Sequence, residues 1–177
     1  VRRPVGERDA GEFPHPRERE EALVGAEDYE QIRALCYRYT FALDEGDFRT
    51  VAAILGDGVL RPSMPGVVGE PIDGPEEIER FYAEQVVTYK NGDPRTRHLI
   101  SNQLIELAED GLSASSRCYF TVLQRAPGHE YQIVVGGQYH DRFRKTGGVW
   151  RFTEKTIQVD HLNRIELHFR IADTLKG

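Results

Sequence analysis

Residues 28–47 read DYEQIRALCYRYTFALDEGD, and the rest of the chain is organised around them. Tyr29, Ile32, Leu35, Cys36, Tyr39, Ala42 and Leu43 recur at helical spacing and form one apolar stripe. Asp28, with Gln31 three residues on, has the form of a capping box, and Gly46 follows the last turn as a stop. The helix therefore ends in Asp44 and Glu45, where its dipole disfavours negative charge. Asp44 falls at the flank of the buried face, near Thr40 and Tyr37. One reading is a solvated acid before a turn. The other is an acid whose position is justified by a partner elsewhere in the fold.

Working outward, residues 1–26 are rich in Arg, Glu, Pro and Gly and cannot bury enough apolar surface to order alone. They read as an extension, either disordered or docked on a neighbouring subunit through Phe13 and the Pro14–Pro16 pair. Downstream, residues 48–55 form a short helix broken by Gly56-Asp57-Gly58. Short strands follow at 59–61 and 67–68. A third helix starts at Gly74-Pro75-Glu76-Glu77, with Pro in the first turn and acids at the positive end of the dipole. Its stripe of Ile78, Phe81, Tyr82, Val86 and Tyr89 carries it to about Tyr89.

The second half reads as strands at 97–107, 113–125, 131–144 and 149–160, joined by short turns. Gly136-Gly137 marks a bulge or sharp bend in the third of these. Residues 161–175 are expected as a C-terminal helix. Helices first and long antiparallel strands after give an α+β fold. A bent sheet with helices across its concave face encloses an apolar pocket. Its expected lining is Tyr39, Leu43, Phe81, Tyr82, Tyr119 and Tyr139. The main domain is placed at 27–163, with 164–177 as a C-terminal segment.

Composition narrows the classes. The chain has 177 residues, 39% hydrophobic and 29% charged, enough for one domain with a real core. A formal net charge of −6 argues against a general nucleic-acid or anionic-membrane binder. Two distant cysteines in apolar patterns, Cys36 and Cys118, read as buried thiols. No apolar run approaches membrane-spanning length and no signal core opens the chain, so a cytoplasmic protein is expected.

Of six histidines, His98 stands out because it opens a strand in TRHLISN. His140 and His161 lie in charged surroundings. His15, His129 and His168 read as loop, tail or surface residues. There is no HxxxH, HExxH or Cys/His cluster, no phosphate loop, no GxGxxG and no GxSxG, so neither a metal nor a cofactor is expected. By period two, Gly137, Tyr139, Asp141 and Phe143 share one face of the long strand. In CYFTVLQR the face of Tyr119, Thr121 and Leu123 is taken as the inner one.

The order and spacing of YTFALDEGDF, GPEEIERFY, RTRHLISN and GGQYHDRFRKTGGVWRF resemble the SnoaL-like, or nuclear transport factor 2-like, superfamily over about residues 27–163. The resemblance implies a cone-shaped antiparallel sheet wrapped around N-terminal helices. Within it, the chain looks most like the branch of scytalone dehydratase, bile-acid 7α-dehydratase and hexachlorocyclohexane dehydrochlorinase. Their Asp at the end of the first helix and His at the start of the strand after the third match Asp44 and His98. A Tyr five residues before the Asp matches Tyr39. The resemblance implies a cofactor-free lyase or isomerase on a hydrophobic ring compound, polyketide- or steroid-like. Asp44, His98 and Tyr39 would be catalytic. Tyr119, Thr121, Tyr139, Asp141, Phe81 and Tyr82 would contact substrate. A homodimer or homotrimer is expected, with no nucleic acid or membrane partner. Scytalone dehydratase carries a second histidine on the following strand, and this chain has none there, which leaves the acid partner open. Two alternatives share the fold: a polyketide cyclase, and a non-catalytic ligand-binding or dioxygenase β-subunit-like protein.

Overall fold

The computed structural model describes residues 16–170 apart from residue 57. Three helices come first: α1 (Pro16–Glu45), α2 (Phe48–Leu55) and α3 (Pro75–Gln85). The short strands β1 (Val59–Met64), β2 (Val67–Val68) and β3 (Ile72–Asp73) lie between the last two. Four long strands follow: β4 (Thr96–Leu107), β5 (Ser113–Gln124), β6 (Gln132–Thr146) and β7 (Val149–Leu162). A 3-10 turn spans Ile165–Leu167.

Helix α1 begins at Pro16, well before Asp28. Pro suits a first helical position, and the Arg/Glu run behind it consists of good helix formers. Part of the expected extension is therefore helical, while residues 1–15 lie outside the described residues. Asp28 is accordingly not a cap. It is buried, and its Oδ1 accepts hydrogen bonds from Lys145 Nζ at 2.6 Å and Trp150 Nε1 at 2.9 Å. It pins the helix to the β6–β7 hairpin, and Tyr29 faces outward. The helix stop is as expected: Asp47 N bonds Ala42 O and Gly46 N bonds Leu43 O, a Schellman arrangement. Gly46 has φ +74°, and a Cβ there would meet Gly92 O at 2.3 Å. Only glycine lets the helix end this close to the loop that leads into β4.

The sheet runs β2-β1-β7-β6-β5-β4, with β3 also on β1. Strands β4 to β7 pair antiparallel, and β1 joins β7 in parallel. Ile32, Cys36, Tyr39 and Leu43 of α1 pack into the concave face together with Val51, Leu55, Ile78 and Tyr82. From β6 that face receives Gly137, Tyr139, Asp141 and Phe143, as the alternation implies. Gly137 leaves no room for a side chain, because a Cβ would sit 2.1 Å from Gln158 O.

On β5 the faces are the reverse of the sequence expectation. Cys118, Phe120 and Val122 are buried, whereas Tyr119 is 53% exposed and Thr121 lies on its outer side. Both faces of CYFTVLQR are apolar, so period two alone could not orient it.

Two elements are shorter than expected. Helix α3 stops at Gln85, and Val86 is extended. Val86 and Val87 are β-branched and prefer strand geometry. Val86 bridges to Phe169, and Val87 N donates to His168 O at 2.8 Å. The second change is at the chain end, where β7 continues to Leu162 and no helix spans 161–170. The 3-10 turn instead brings His168 and Phe169 against the concave side, beside Val86. Residues 171–177 lie outside the described residues.

Candidate active site

The last turn of α1 and the first residues of β4 meet at one carboxylate. Asp44 Oδ1 lies 2.6 Å from His98 Nδ1 and accepts the Thr96 hydroxyl at 2.7 Å. Its Oδ2 accepts the His98 backbone N–H at 2.9 Å. Thr96 and His98 are two apart on a strand, so both face the concave side while Arg97 faces out. This explains an acid where the helix dipole disfavours one: three partners from another strand satisfy it. Burial pushes the Asp44 carboxyl up. The His98 ring, the Thr96 hydroxyl and the His98 amide outweigh burial and hold it below its usual range. With Nδ1 taken by Asp44, Nε2 is the ring nitrogen left for other chemistry, and the His98 side chain, 6% exposed, lines the interior.

That interior is a small apolar cavity of about 50 Å³, lined by His98 with Tyr39, Tyr82, Phe120, Tyr139 and His168 among others. It has room for a few water molecules. Tyr39 and Tyr82 share a hydrogen bond of 2.7 Å between their hydroxyls, both fully enclosed. Burial, then each other's proximity, raises the Tyr39 phenol well above its ordinary value. Tyr139 stacks on Phe120 with ring centroids 4.2 Å apart.

The expected site residues therefore divide. Asp44 and His98 are in contact, and Tyr39, Leu43, Tyr82 and Tyr139 line the cavity beside His98. Phe81 does not line it; half-buried, it packs edge-on against Tyr82. Tyr119 and Thr121 are on the opposite face of the sheet. Asp141 is inside but committed elsewhere: Lys155 Nζ bonds its two oxygens at 3.1 and 3.3 Å. The same ammonium lies 3.8 Å from the Tyr139 ring and 4.4 Å from that of Tyr39. This ion pair supports the two phenols from behind.

Two residues of the site escape sequence reasoning. Thr96 has the signal in plain view, two positions before His98 in TRH. His168 does not, because it reaches the cavity through the chain-end turn. It is 4% exposed, and its ring lies 6.4 Å from that of His98. Burial, then the charge of His98, pushes its pKa down to about 3. His168 is thus a pocket residue and not a surface or tail one.

A family model described as SnoaL-like domain matches residues 25–156. Among solved structures, an NTF2-like protein with a cystatin-like fold from Novosphingobium aromaticivorans is 19% identical, over 84% of this chain and 92% of its own, with a TM-score of 0.66. The β subunit of a putative aromatic-ring-hydroxylating dioxygenase from that organism is 20% identical, over 84% and 99%, with a TM-score of 0.65. A putative scytalone dehydratase, also from that organism, is 18% identical, over 80% and 90%, with a TM-score of 0.62. At these identities the likeness is one of fold. None of the curated proteins matches the sequence.

Proposed function

The chain belongs to the SnoaL-like domain family, and from that premise we propose that it is a cofactor-free lyase or isomerase that removes a proton from a carbon beside a carbonyl in a hydrophobic ring compound. The observation that carries this reading is His98, fixed by Asp44 through Nδ1 and lining an apolar cavity with Nε2 left for other chemistry. A neutral imidazole so held is a general base. The carboxylate fixes its tautomer and stabilises the imidazolium that forms.

In a dehydration, Nε2 takes the proton beside the carbonyl. The electron pair of that C–H bond becomes the new double bond as the β-hydroxyl departs. The imidazolium then gives its proton to the leaving oxygen, water is released and His98 is restored. The Tyr39–Tyr82 hydroxyl pair is suited to hold the carbonyl oxygen. Returning the proton to another carbon would be an isomerisation, and carbanion attack on a second carbonyl would be a polyketide-type cyclisation.

The test is turnover of 3-hydroxycyclohexanone to cyclohexenone and water, followed by the enone absorbance. Formation above the buffer rate supports the proposal, and none above it counts against it. One observation favours a second reading, a non-catalytic protein of the β-subunit type. The cavity holds about 50 Å³, where ligand sites commonly take about 300–1,000 Å³. A steroid-sized substrate therefore requires the cavity to enlarge.

A homodimer or homotrimer belongs to the same proposal. Leu99, Tyr119 and Ile133, each more than half exposed, lie on or beside the outer sheet face and offer apolar area for a second copy. Sedimentation at micromolar concentration should show more than a monomer. No helix among the described residues is long and apolar enough to cross a membrane.

A further inference from the structure

His168 is held in place by its backbone. Its N–H donates to Ile165 O at 2.9 Å, and its carbonyl accepts from Val87 N at 2.8 Å. The turn around it is tied down further. Leu167 O accepts from Tyr89 Oη at 2.9 Å and from Gln124 Nε2 at 3.1 Å, and Arg170 N donates to Gln85 O at 2.7 Å. These bonds place a second imidazole on the wall of the mainly apolar cavity, beside His98. Its Nδ1 is fully buried with no hydrogen-bond partner among the described residues. A purely structural residue here would be better served by leucine, since a buried polar atom without a partner is destabilising.

We propose that His168 is a substrate-contacting residue, whose imidazole hydrogen-bonds the substrate hydroxyl that lies between it and His98. The geometry carries this. The two rings are 6.4 Å apart, centroid to centroid, on one cavity. One oxygen at hydrogen-bond distance, about 2.8 Å, from a nitrogen of each ring would bridge them. In the elimination that oxygen is the one that receives the proton from His98. His168 stays neutral at physiological pH, so it orients and stabilises the departing oxygen and does not itself give up a proton. Specificity follows: a ring bearing a hydroxyl at that point gains a bond that its deoxygenated analogue lacks. The inference rests on the site proposed above but not on His98 acting as a base.

Cyclohexanol is a suitable probe, since it has the hydroxyl and no carbonyl with which to react. Titrated into the full chain labelled with 15N at histidine, it should shift the His168 ring nitrogens. His168→Leu should weaken its binding roughly tenfold, and His168→Gln should restore most of the loss. Unmoved His168 resonances at the highest cyclohexanol concentration the protein tolerates would overturn the assignment. So would equal binding by His168→Leu. The base assignment is read separately, from turnover of 3-hydroxycyclohexanone by His98→Ala. If that turnover matches wild type while cyclohexanol still shifts His168, the base is wrong and the contact stands. If turnover is lost and His168 does not respond, the base stands and the contact is wrong.

Discussion

Asp44 grips His98 twice, at the ring through Oδ1 and at the backbone through Oδ2. One carboxylate thus fixes both the strand that carries the histidine and the rotation of its imidazole. Asp44→Asn keeps the size of the side chain but presents a neutral amide to Nδ1. Catalysis should fall by about 10²–10⁴, the range for losing a tautomer-fixing carboxylate. Circular dichroism should be unchanged. A variant with normal turnover would mean that the carboxylate serves only to anchor β4.

The Tyr39–Tyr82 hydroxyl pair makes a stability prediction that needs no substrate. Each single change to Phe leaves the other hydroxyl buried without its partner, at about 1–3 kcal/mol. Removing both leaves none unpaired, so Tyr39→Phe/Tyr82→Phe should cost clearly less than the sum of the singles. Urea unfolding of the four proteins measures this. Strict additivity would show that the two hydroxyls do not depend on each other.

His168 sets a pH dependence of stability. Its ring titrates near 3 when folded, against an ordinary value near 6.5. Below about pH 6.5 the unfolded chain binds a proton that the folded chain refuses. This contribution is complete above that pH and is lost as pH falls toward 3, by up to about 1.4 kcal/mol per unit. His168→Leu should therefore lose less stability than wild type between about pH 6 and about pH 4. Parallel denaturation curves at the two values would contradict the burial of a neutral ring.

The sequence made the architecture legible where a period was clean. The α1 stripe, the Gly46 stop and the inward face of β6 were all readable, because in each the alternative register exposes apolar side chains. The faces of β5 were not, since Cys118-Phe120-Val122 and Tyr119-Thr121-Leu123 are similarly apolar and only the neighbouring strands decide between them. Asp28 looked like a cap because its true partners, Lys145 and Trp150, are more than a hundred residues away. Asp44 and His98 were found by resemblance, supported by a local conflict with the helix dipole. His168 carried no local signal at all. It enters the cavity through the pairing of Val86 with Phe169, a bridge that no periodicity announces.

The central claim is that His98 removes a proton from carbon. The most direct measurement is hydrogen–deuterium exchange beside the carbonyl of cyclohexanone in D2O, followed by proton NMR with wild type and His98→Ala in parallel. Wild type should exchange these positions faster than buffer alone, and His98→Ala should return to the buffer rate while keeping its fold. Exchange by His98→Ala as fast as wild type, or by wild type no faster than buffer, would contradict the account.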